Sequence, residues 1–343
     1  MELGLDTFGD VTVDDDGNAV SAAQTIRDVV AQAVLADEVG VDFFGVGEHH
    51  RDDYAVSAPE VVLGAIAVAT HRMRLGSAVT VLSSDDPIRV FERFATVDAL
   101  SDGRAEVILG RGSFTESFPL FGYDLADYEE LFTDKLSLFA QLRTGEPVTW
   151  SGATRTPLTG QSVYPGLSSA PLPTWIAVGG SPESVIRAAT HGLPLMLAII
   201  GGDPARFTPY TDLYRRALGE LEQPTDLPVG VHSPGHIADT DELAREQLWP
   251  HYRTYMTRIG RERGWPPPTR IEFERAAGPA GALHVGSPDT VARKIAATAK
   301  TLGLNRFDLK YSHGTLPHEH LMRSVELYGT QVIPQVRDLL SAD

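Results

Sequence analysis

Short apolar segments rich in β-branched residues alternate along the chain with longer segments of helical period. The predicted strands cover residues 2–8, 42–47, 73–82, 105–109, 173–178, 193–200, 227–232 and 306–311. The predicted helices lie near residues 22–39, 59–70, 87–100, 124–143, 182–191, 204–218, 241–263, 288–302 and 317–340. This alternation is typical of a parallel sheet covered by helices. Eight strand–helix pairs favour a closed α/β barrel, the (β/α)8 or TIM barrel, over an open sheet of about five to seven strands.

Four predicted helices begin with a capping residue followed by proline. The pairs are Asp86-Pro87, Ser181-Pro182, Asp203-Pro204 and Ser287-Pro288. An Asp or Ser side chain accepts hydrogen bonds from free N–H groups at a helix start, and proline fits the first helical position. These pairs therefore predict helices that begin just after strand ends.

No segment of the chain has the composition of a linker, so we expect one domain over residues 1–343. Two insertions are expected, at about residues 145–172 and 265–286. The first is predicted to form a hairpin. The second insertion and residues 110–123 are predicted to be long loops that act as lids over the barrel mouth.

The chain has 46 acidic and 29 basic residues, which give a formal net charge of −17. This charge repels nucleic acid and anionic membranes, and no basic patch opposes it, so neither partner is expected. The chain has no cysteine, which excludes disulfides and a thiol nucleophile. No apolar run reaches the roughly 18 residues of a membrane span, and residues 1–10 lack the pattern of a signal peptide. We therefore expect a cytoplasmic protein.

The second predicted strand ends in Glu48-His49-His50, at the strand end where barrel enzymes place catalytic groups. Neighbouring residues of a strand face opposite sides, so His49 and His50 cannot both enter one small site without a break in the backbone. This argues against a metal site that adds Asp52 and Asp53, and no metal is predicted. An acid–base role for at least one histidine and a purely structural strand end both remain open.

Paired glycines occur at two strand–turn–helix junctions. Gly179-Gly180-Ser181 follows the fifth predicted strand, and Gly201-Gly202 follows the sixth. Glycines let a ligand approach the backbone, and free N–H groups at a helix start favour an anion such as phosphate. Because neighbouring barrel loops lie side by side, the two turns favour one phosphate site, with simple helix capping as the alternative. Neither turn matches a Rossmann or P-loop fingerprint.

The fourth predicted strand runs into Gly110-Arg111-Gly112-Ser113. Arg111 suits either a contact with a ligand phosphate or carbonyl, or a salt bridge to a neighbouring strand end. An aromatic-rich loop follows, with Phe114, Phe118, Phe121 and Tyr123. It suits either a cover over a flat apolar ligand or a small core beneath a long loop.

Taken together, these segments resemble the bacterial luciferase-like flavin monooxygenases. The similarity rests on EHH at 48–50, GSAVTVLSSDDPIRVFE at 76–92, DALSDGRAEVILGRG at 98–112, F-x-x-F-G-x-D at 118–124 and the strand–Gly–helix turn at 178–185. It covers roughly the first 200 residues. The later part of the chain shares mainly the strand–helix rhythm.

The resemblance implies a luciferase-like (β/α)8 barrel, as a homodimer, that binds FMN at the carboxyl-terminal mouth. It also implies a cis peptide bond between Ala78 and Val79 beneath the flavin. By residue match, His49 is the expected catalytic residue, and the expected cofactor contacts are Ala78, Val79, Arg111, Gly179, Gly180 and Ser181. The second glycine pair, Gly201 and Gly202, joins this set through the phosphate argument above.

The leading hypothesis is an FMN-dependent monooxygenase that uses reduced flavin and O2 to oxygenate a small organic substrate. Electrons would come from NAD(P)H through a separate flavin reductase, because no dinucleotide fingerprint is visible. Gly110 stands where luciferase itself has a reactive cysteine, so bioluminescence is not implied. The alternatives are hydride transfer with a deazaflavin (coenzyme F420), a metal-dependent barrel hydrolase built on His49 or His50 with Glu48, and a non-catalytic flavin-binding protein.

Overall fold

A computed structural model of the protein describes residues 1–14, 16–112, 114–168 and 170–342. Its strands are β1 (Glu2–Thr7), β2 (Phe43–Val46), β3 (Arg74–Ser77), β4 (Thr80–Val81), β5 (Ala105–Gly110), β6 (Val148–Trp150), β7 (Leu158–Gln161), β8 (Thr174–Val178), β9 (Leu195–Ala198), β10 (Val229–Ile237), β11 (His284–Gly286) and β12 (Arg306–Lys310). Its α-helices are α1 (Ala22–Glu38), α2 (Pro59–Ala69), α3 (Pro87–Ser101), α4 (Ser117–Phe121), α5 (Tyr128–Leu142), α6 (Pro182–Thr190), α7 (Thr208–Glu220), α8 (Asp241–Arg263), α9 (Arg270–Ala277), α10 (Pro288–Leu302), α11 (His318–Leu327) and α12 (Ile333–Ser341). None of the helices in these ranges has both the length and the apolar character that crossing a bilayer requires.

The eight barrel positions follow the order β1, β2, β3, β5, β8, β9, β10, β12, and all neighbouring strands are parallel. The barrel closes because β1 pairs with β12, from Glu2 opposite Arg306 to Asp6 opposite Lys310. The predicted (β/α)8 barrel is therefore confirmed. Since the eight barrel strands all run the same way, their carboxyl-terminal ends form one mouth, where side chains from distant parts of the sequence meet.

The capping pairs predicted from the sequence hold the helix starts in place. Asp86, Ser181, Asp203 and Ser287 each accept a hydrogen bond from a backbone N–H in the first turn that follows. At the other end, Gly264 after α8 and Gly303 after α10 have φ values of 73° and 64°. A helix C-cap in this left-handed conformation favours glycine, because other residues are strained there.

The hairpin expected in residues 145–172 is present, as the antiparallel pair β6 and β7. The prediction of a long loop over residues 265–286 is wrong. That segment contains α9 and also β11, which extends the sheet beside β10. The missed helix starts with a capping box between Thr269 and Glu272, a signal that the preceding three prolines obscured.

Three further boundaries differ from the predictions. The strand expected over residues 73–82 is interrupted between β3 and β4. The loop expected over residues 110–123 contains the short helix α4. The helix expected over 317–340 is divided by a π-helical segment, Tyr328–Val332. Pro334 explains this division, because it has no N–H to donate to the carbonyl four residues earlier.

A buried arginine fills the amino-terminal end of the barrel interior. The Arg306 guanidinium is fully buried and lies 3.4 Å from the centroid of the Phe43 ring. Its Nε donates to both carboxylate oxygens of Asp308 at 2.9 Å, and its Nη1 donates to Glu106. The centroid of the Trp175 ring lies 5.2 Å from the same guanidinium. The barrel is therefore closed at this end by a charged and aromatic layer.

We predict that Arg306→Leu destabilises the protein by about 3–5 kcal/mol, because it leaves the buried carboxylate of Asp308 without a cation and leaves Glu106 with Arg74 alone. The measurement is the free energy of unfolding in urea. The control is Arg323→Leu, which removes the ion pairs of a half-exposed arginine with Asp239 and Glu326. That change is expected to cost less than about 1 kcal/mol. Equal losses in the two variants would contradict this account of the barrel interior.

Candidate active site

The peptide bond between Ala78 and Val79 is cis, as the family resemblance implied. Glycines on the neighbouring strands make room for this segment. A Cβ on Gly110 would lie 2.6 Å from the Val79 side chain, and a Cβ on Gly47 would lie 2.9 Å from the Ala78 carbonyl oxygen. Val79 itself is partly buried and packs on the aromatic and aliphatic residues inside the barrel. The two residues form an apolar floor at the barrel mouth.

His49 lies at the tip of β2 among aromatic rings. Its imidazole is 4.3 Å from the Tyr54 ring, 4.7 Å from the Phe8 ring and 5.3 Å from the Phe114 ring, measured between centroids. Its Nδ1 is 3.9 Å from a carboxylate oxygen of Glu116. Burial raises the pKa of Glu116, but the contact with His49 and other contacts outweigh it, so this pKa lies below its ordinary value. An imidazole thus faces a carboxylate at the mouth.

His50 has different partners from His49, and both residues lie beyond the end of β2 at Val46. Its Nε2 is 2.9 Å from one oxygen of Glu48, whose other oxygen accepts a hydrogen bond from the backbone N–H of Val81 at 2.9 Å. Glu48 therefore ties the tip of β2 to the strand segment that follows the cis bond. His50 and Glu48 orient the backbone of the site.

The acidic residues that follow the histidines do not join a metal cluster. Asp53 accepts a hydrogen bond from Arg51 at 2.9 Å, and both Asp52 and Asp53 pair with Arg258 of α8. Among the residues that the structure describes, no group of three or more His, Cys, Asp or Glu side chains is arranged to hold a metal ion. These aspartates connect the β2 loop to α8.

The two glycine turns follow β8 and β9, which are neighbours in the barrel, with Val178 opposite Leu197. The hydroxyl of Tyr210, in α7, donates to the Gly180 carbonyl at 2.8 Å and so connects the first turn to the helix that follows the second. A Cβ placed on Gly179 or on Gly201 would meet no atom within 4 Å. The backbone is therefore open on this side. Ser181 caps α6, so the turn leads directly into a helix N-terminus.

Two arginines lie near the first of these turns. Arg111 pairs with Glu129, and the same carboxylate accepts a hydrogen bond from Arg187 at 2.8 Å. Both arginines help to lower the pKa of Glu183 in the first turn of α6, after the larger effect of its hydrogen bond with Ser181. Sequence reasoning selected Arg111 and missed Arg187, which lies on α6 and carries no motif. Ser113, two positions after Arg111, lies outside the residues that the structure describes.

A cavity of about 860 Å³ opens beside His49, between the segment that contains α4 and the end of α8. Its lining includes Arg51, Phe114, Glu116, Phe118, Tyr123 and Arg263. Arg51 holds the two sides together, because its guanidinium donates to both oxygens of Glu262 at 2.6 and 2.8 Å and lies 4.5 Å from the centroid of the Phe114 ring. Three of the four aromatic residues expected to cover a ligand, Phe114, Phe118 and Tyr123, thus line a cavity next to His49, whereas Phe121 packs against His50.

Two residues at the mouth were missed by sequence reasoning. Nδ1 of His232, in β10, lies 2.7 Å from an oxygen of Asp6 in β1. The two residues are 226 positions apart, so no local pattern connects them. Phe8 lies next to both His49 and His232. The centroid of its ring is 4.7 Å from that of His49 and is stacked 5.9 Å from that of His232.

These features define a (β/α)8-barrel protein with imidazoles, carboxylates and open glycine turns at the carboxyl-terminal end of its strands. Residues 1–306 match the model of the family described as luciferase-like monooxygenase, and the chain belongs to that family.

A curated relative, the N-acetyl-S-alkylcysteine monooxygenase of Bacillus subtilis, is 32% identical over 229 residues, which cover 65% of this chain and 63% of the relative. The chain spans between half and two thirds of the length of this protein and of another relative, an uncharacterised protein. Among solved structures, monooxygenase RslO1 from Streptomyces bottropensis superposes with a TM-score of 0.83 at 23% identity, covering 97% of this chain and 99% of the other. An F420-dependent secondary alcohol dehydrogenase superposes with a TM-score of 0.73 at 18% identity, covering 98% and 99%.

Proposed function

We propose that the protein is an FMN-dependent monooxygenase that uses reduced FMN and O2 to oxygenate a small organic substrate. The observation that carries this proposal is the combination, at one barrel mouth, of the Ala78–Val79 floor, His49 and two open glycine turns. Membership of the luciferase-like monooxygenase family supports it. When bound, reduced FMN supplies the electrons that activate O2.

The residues present fit FMN. Gly179 and Gly201 leave open space where a side chain would otherwise stand, and Ser181 begins a helix whose N–H groups favour a phosphate. Arg111 and Arg187 add positive charge beside this turn. At the other end, Val79 presents an apolar surface suited to a flat ring. We therefore assign the phosphate to the two turns and the ring to the floor.

His49 is proposed to hold or move a proton beside the ring. The aromatic groups around it exclude water, which would otherwise promote loss of the activated oxygen as peroxide. Because the lining of the adjoining cavity combines the rings of Phe114, Phe118 and Tyr123 with charged side chains such as Arg51 and Glu116, we propose a substrate with an apolar or aromatic part and a polar group. Electrons are proposed to come from NAD(P)H through a separate flavin reductase.

A second candidate is hydride transfer with coenzyme F420. The observation in its favour is the likeness of the fold to an F420-dependent alcohol dehydrogenase over nearly the whole chain. Monooxygenase relatives at higher sequence identity favour the first candidate.

Binding and oxygen dependence separate the two candidates. We expect the purified protein to bind FMN more tightly than riboflavin, because riboflavin lacks the phosphate that the turns would hold, and to bind coenzyme F420 poorly. Fluorescence titration measures all three affinities. With reduced FMN and a panel that includes an N-acetyl-S-alkylcysteine, product should form only when O2 is present. Tight binding of F420 and turnover without O2 would replace the first candidate with the second.

We predict that His49→Ala keeps the affinity for FMN and lowers oxygenated product by about 10²–10⁴-fold, the usual contribution of an acid–base group. The affinity is measured by titration and the product by mass spectrometry. His71→Ala is the matched control, since His71 is exposed and lies in the turn before β3, at the opposite end of the barrel. Unchanged product formation in His49→Ala would refute the role given to this residue.

We also propose that the protein is a homodimer and is located in the cytoplasm. The composition and exposure of α2 support the homodimer. Nearly every residue of α2 is apolar, and a helix that is apolar on all sides is normally buried. Yet Val61 and Val68 are 73% and 64% exposed, and Leu100 of the neighbouring α3 is 48% exposed. Contiguous exposed apolar residues of this kind mark an interaction site. We propose that this surface, formed by Val61, Val68 and Leu100, packs against the same surface of a second copy.

Val61→Lys is expected to convert the dimer to a monomer, because two lysines would face each other across a twofold interface. Sedimentation velocity measures the mass. The matched control is Ile271→Lys, at a position of α9 that is equally exposed, 73%, and lies outside the proposed interface. The control should stay dimeric. A monomeric wild-type protein, or a Val61→Lys variant that remains a dimer, would contradict the proposed interface.

A further inference from the structure

The mouth of the barrel contains a second imidazole–carboxylate pair that the role of His49 does not use. His232 and Asp6 lie on strands that are separated in the barrel only by β12. Asp6 is 1% exposed, whereas the His232 side chain is 14% exposed. The carboxylate is therefore the buried partner, and the imidazole is the partner that reaches open space.

The hydrogen bond fixes which face of the imidazole is free. Nδ1 is held by Asp6 at 2.7 Å, and the ring is held flat against Phe8, with an angle of 11° between the planes. Within the described part of the chain, Nε2 has no hydrogen-bond partner. A histidine whose Nδ1 donates to a carboxylate and whose Nε2 is free is arranged to give or take a proton at Nε2.

We propose that His232, oriented by Asp6, is a second acid–base group of this site, which donates a proton from Nε2 to an acceptor oxygen of the ligand that fills the mouth. The inference rests on the proposed function. In the proton transfer, the Nε2–H bond breaks and an O–H bond forms on the ligand. The imidazole becomes neutral with its remaining proton on Nδ1, Asp6 stays ionised, and solvent returns the proton.

The charges around His232 support this role. Burial lowers the pKa of His232, but the negative charge of Asp6 and its hydrogen bond raise it more, so the balance is a raised pKa. From β12, Lys310 lowers this pKa and Asp308 raises it, and His313 beyond β12 also lies within electrostatic range. The neighbour on β9, Ala198, is uncharged. The imidazole thus keeps its proton to a higher pH than an ordinary histidine does.

The two histidine–carboxylate pairs differ in what holds them. The partner of His49 is Glu116, at 3.9 Å, which precedes α4 in the segment over the mouth. The partner of His232 is Asp6, within a barrel strand. The geometry of the first pair therefore depends on the segment over the mouth, whereas that of the second is built into the sheet. This difference suits His232 to a role that does not require the covering segment in one position.

The first test needs no cofactor. Histidine-labelled protein is titrated by NMR, and the signal of His232 is assigned by its loss in His232→Gln. We expect the pKa of His232 to lie above that of an ordinary histidine in the wild type and to fall below it in Asp6→Asn, because burial then acts without the opposing charge. An ordinary or lowered pKa in the wild type would overturn the proposal.

The second test follows the oxidation of protein-bound reduced FMN by O2 as a function of pH. As the pH rises through the raised pKa of His232, this residue loses its proton and the reaction should slow. In Asp6→Asn, this decrease in rate, the alkaline limb of the pH profile, should occur at lower pH. His232→Gln, which keeps an amide to pair with Asp6, should abolish the limb and slow the reaction about 10²-fold or more. The affinity of His232→Gln for FMN should stay within about twofold of that of the wild type. A twofold change in Kd corresponds to only about 0.4 kcal/mol of binding free energy.

The matched control is His71→Gln, which should leave the rate and the pH profile unchanged. A His232→Gln variant with the rate and pH profile of the wild type would overturn the proposal even if Asp6→Asn does not fold. Failure of the wild type to bind FMN would instead refute the proposed function. The active-site role of His232 would be refuted together with it. The NMR titration would still show whether Asp6 raises the pKa of His232.

Discussion

The way the barrel interior is filled determines where a ligand can bind. At the amino-terminal end, Arg306 is enclosed by Phe43 and Trp175 and neutralised by Glu106 and Asp308. A guanidinium can be buried in this way only because its planar donors meet both carboxylates and its faces meet aromatic rings. Removing the carboxylates would leave the buried guanidinium without charge compensation. The layer closes the barrel at one end, so the space left for chemistry is at the other.

Towards the mouth, the interior side chains become small. Gly45 lies in β2, Gly47 directly follows it and Gly110 ends β5. A Cβ on any of them would lie within 3.0 Å of Phe8 or of the Ala78–Val79 segment. Each glycine is needed because of a neighbour that is distant in sequence. Together they allow Ala78 and Val79 to form a floor while the strand ends beyond it stay apart. The charged layer thus fills the amino-terminal end of the barrel, and the glycines make room for the floor at the carboxyl-terminal end.

The sequence predicted the features that depend on local chemistry. The strand–helix alternation, the four capping residues and the hairpin in residues 145–172 are set by neighbours within a few positions, and the structure contains all of them. The site was predictable to the extent that its residues carry motifs, as the EHH triplet and the glycine pairs do. Arg187 and Asp6 carry none. Arg187 became visible only when α6 placed it beside Glu129 of α5, and Asp6 only when barrel closure brought β1 close to β10.

The positions of the strands around the mouth limit the shape of a ligand that uses the whole site. The open glycine turns follow β8 and β9, whereas His49 follows β2, and β3 and β5 lie between β2 and β8. Val79 and Gly110 stand at those intermediate strands. A ligand anchored by an anionic group at the turns must therefore extend over this apolar floor before any part of it reaches His49. Arginines beside the turns favour the anion, and the floor favours a flat apolar body, so the mouth selects an elongated molecule with a charged end and a planar end.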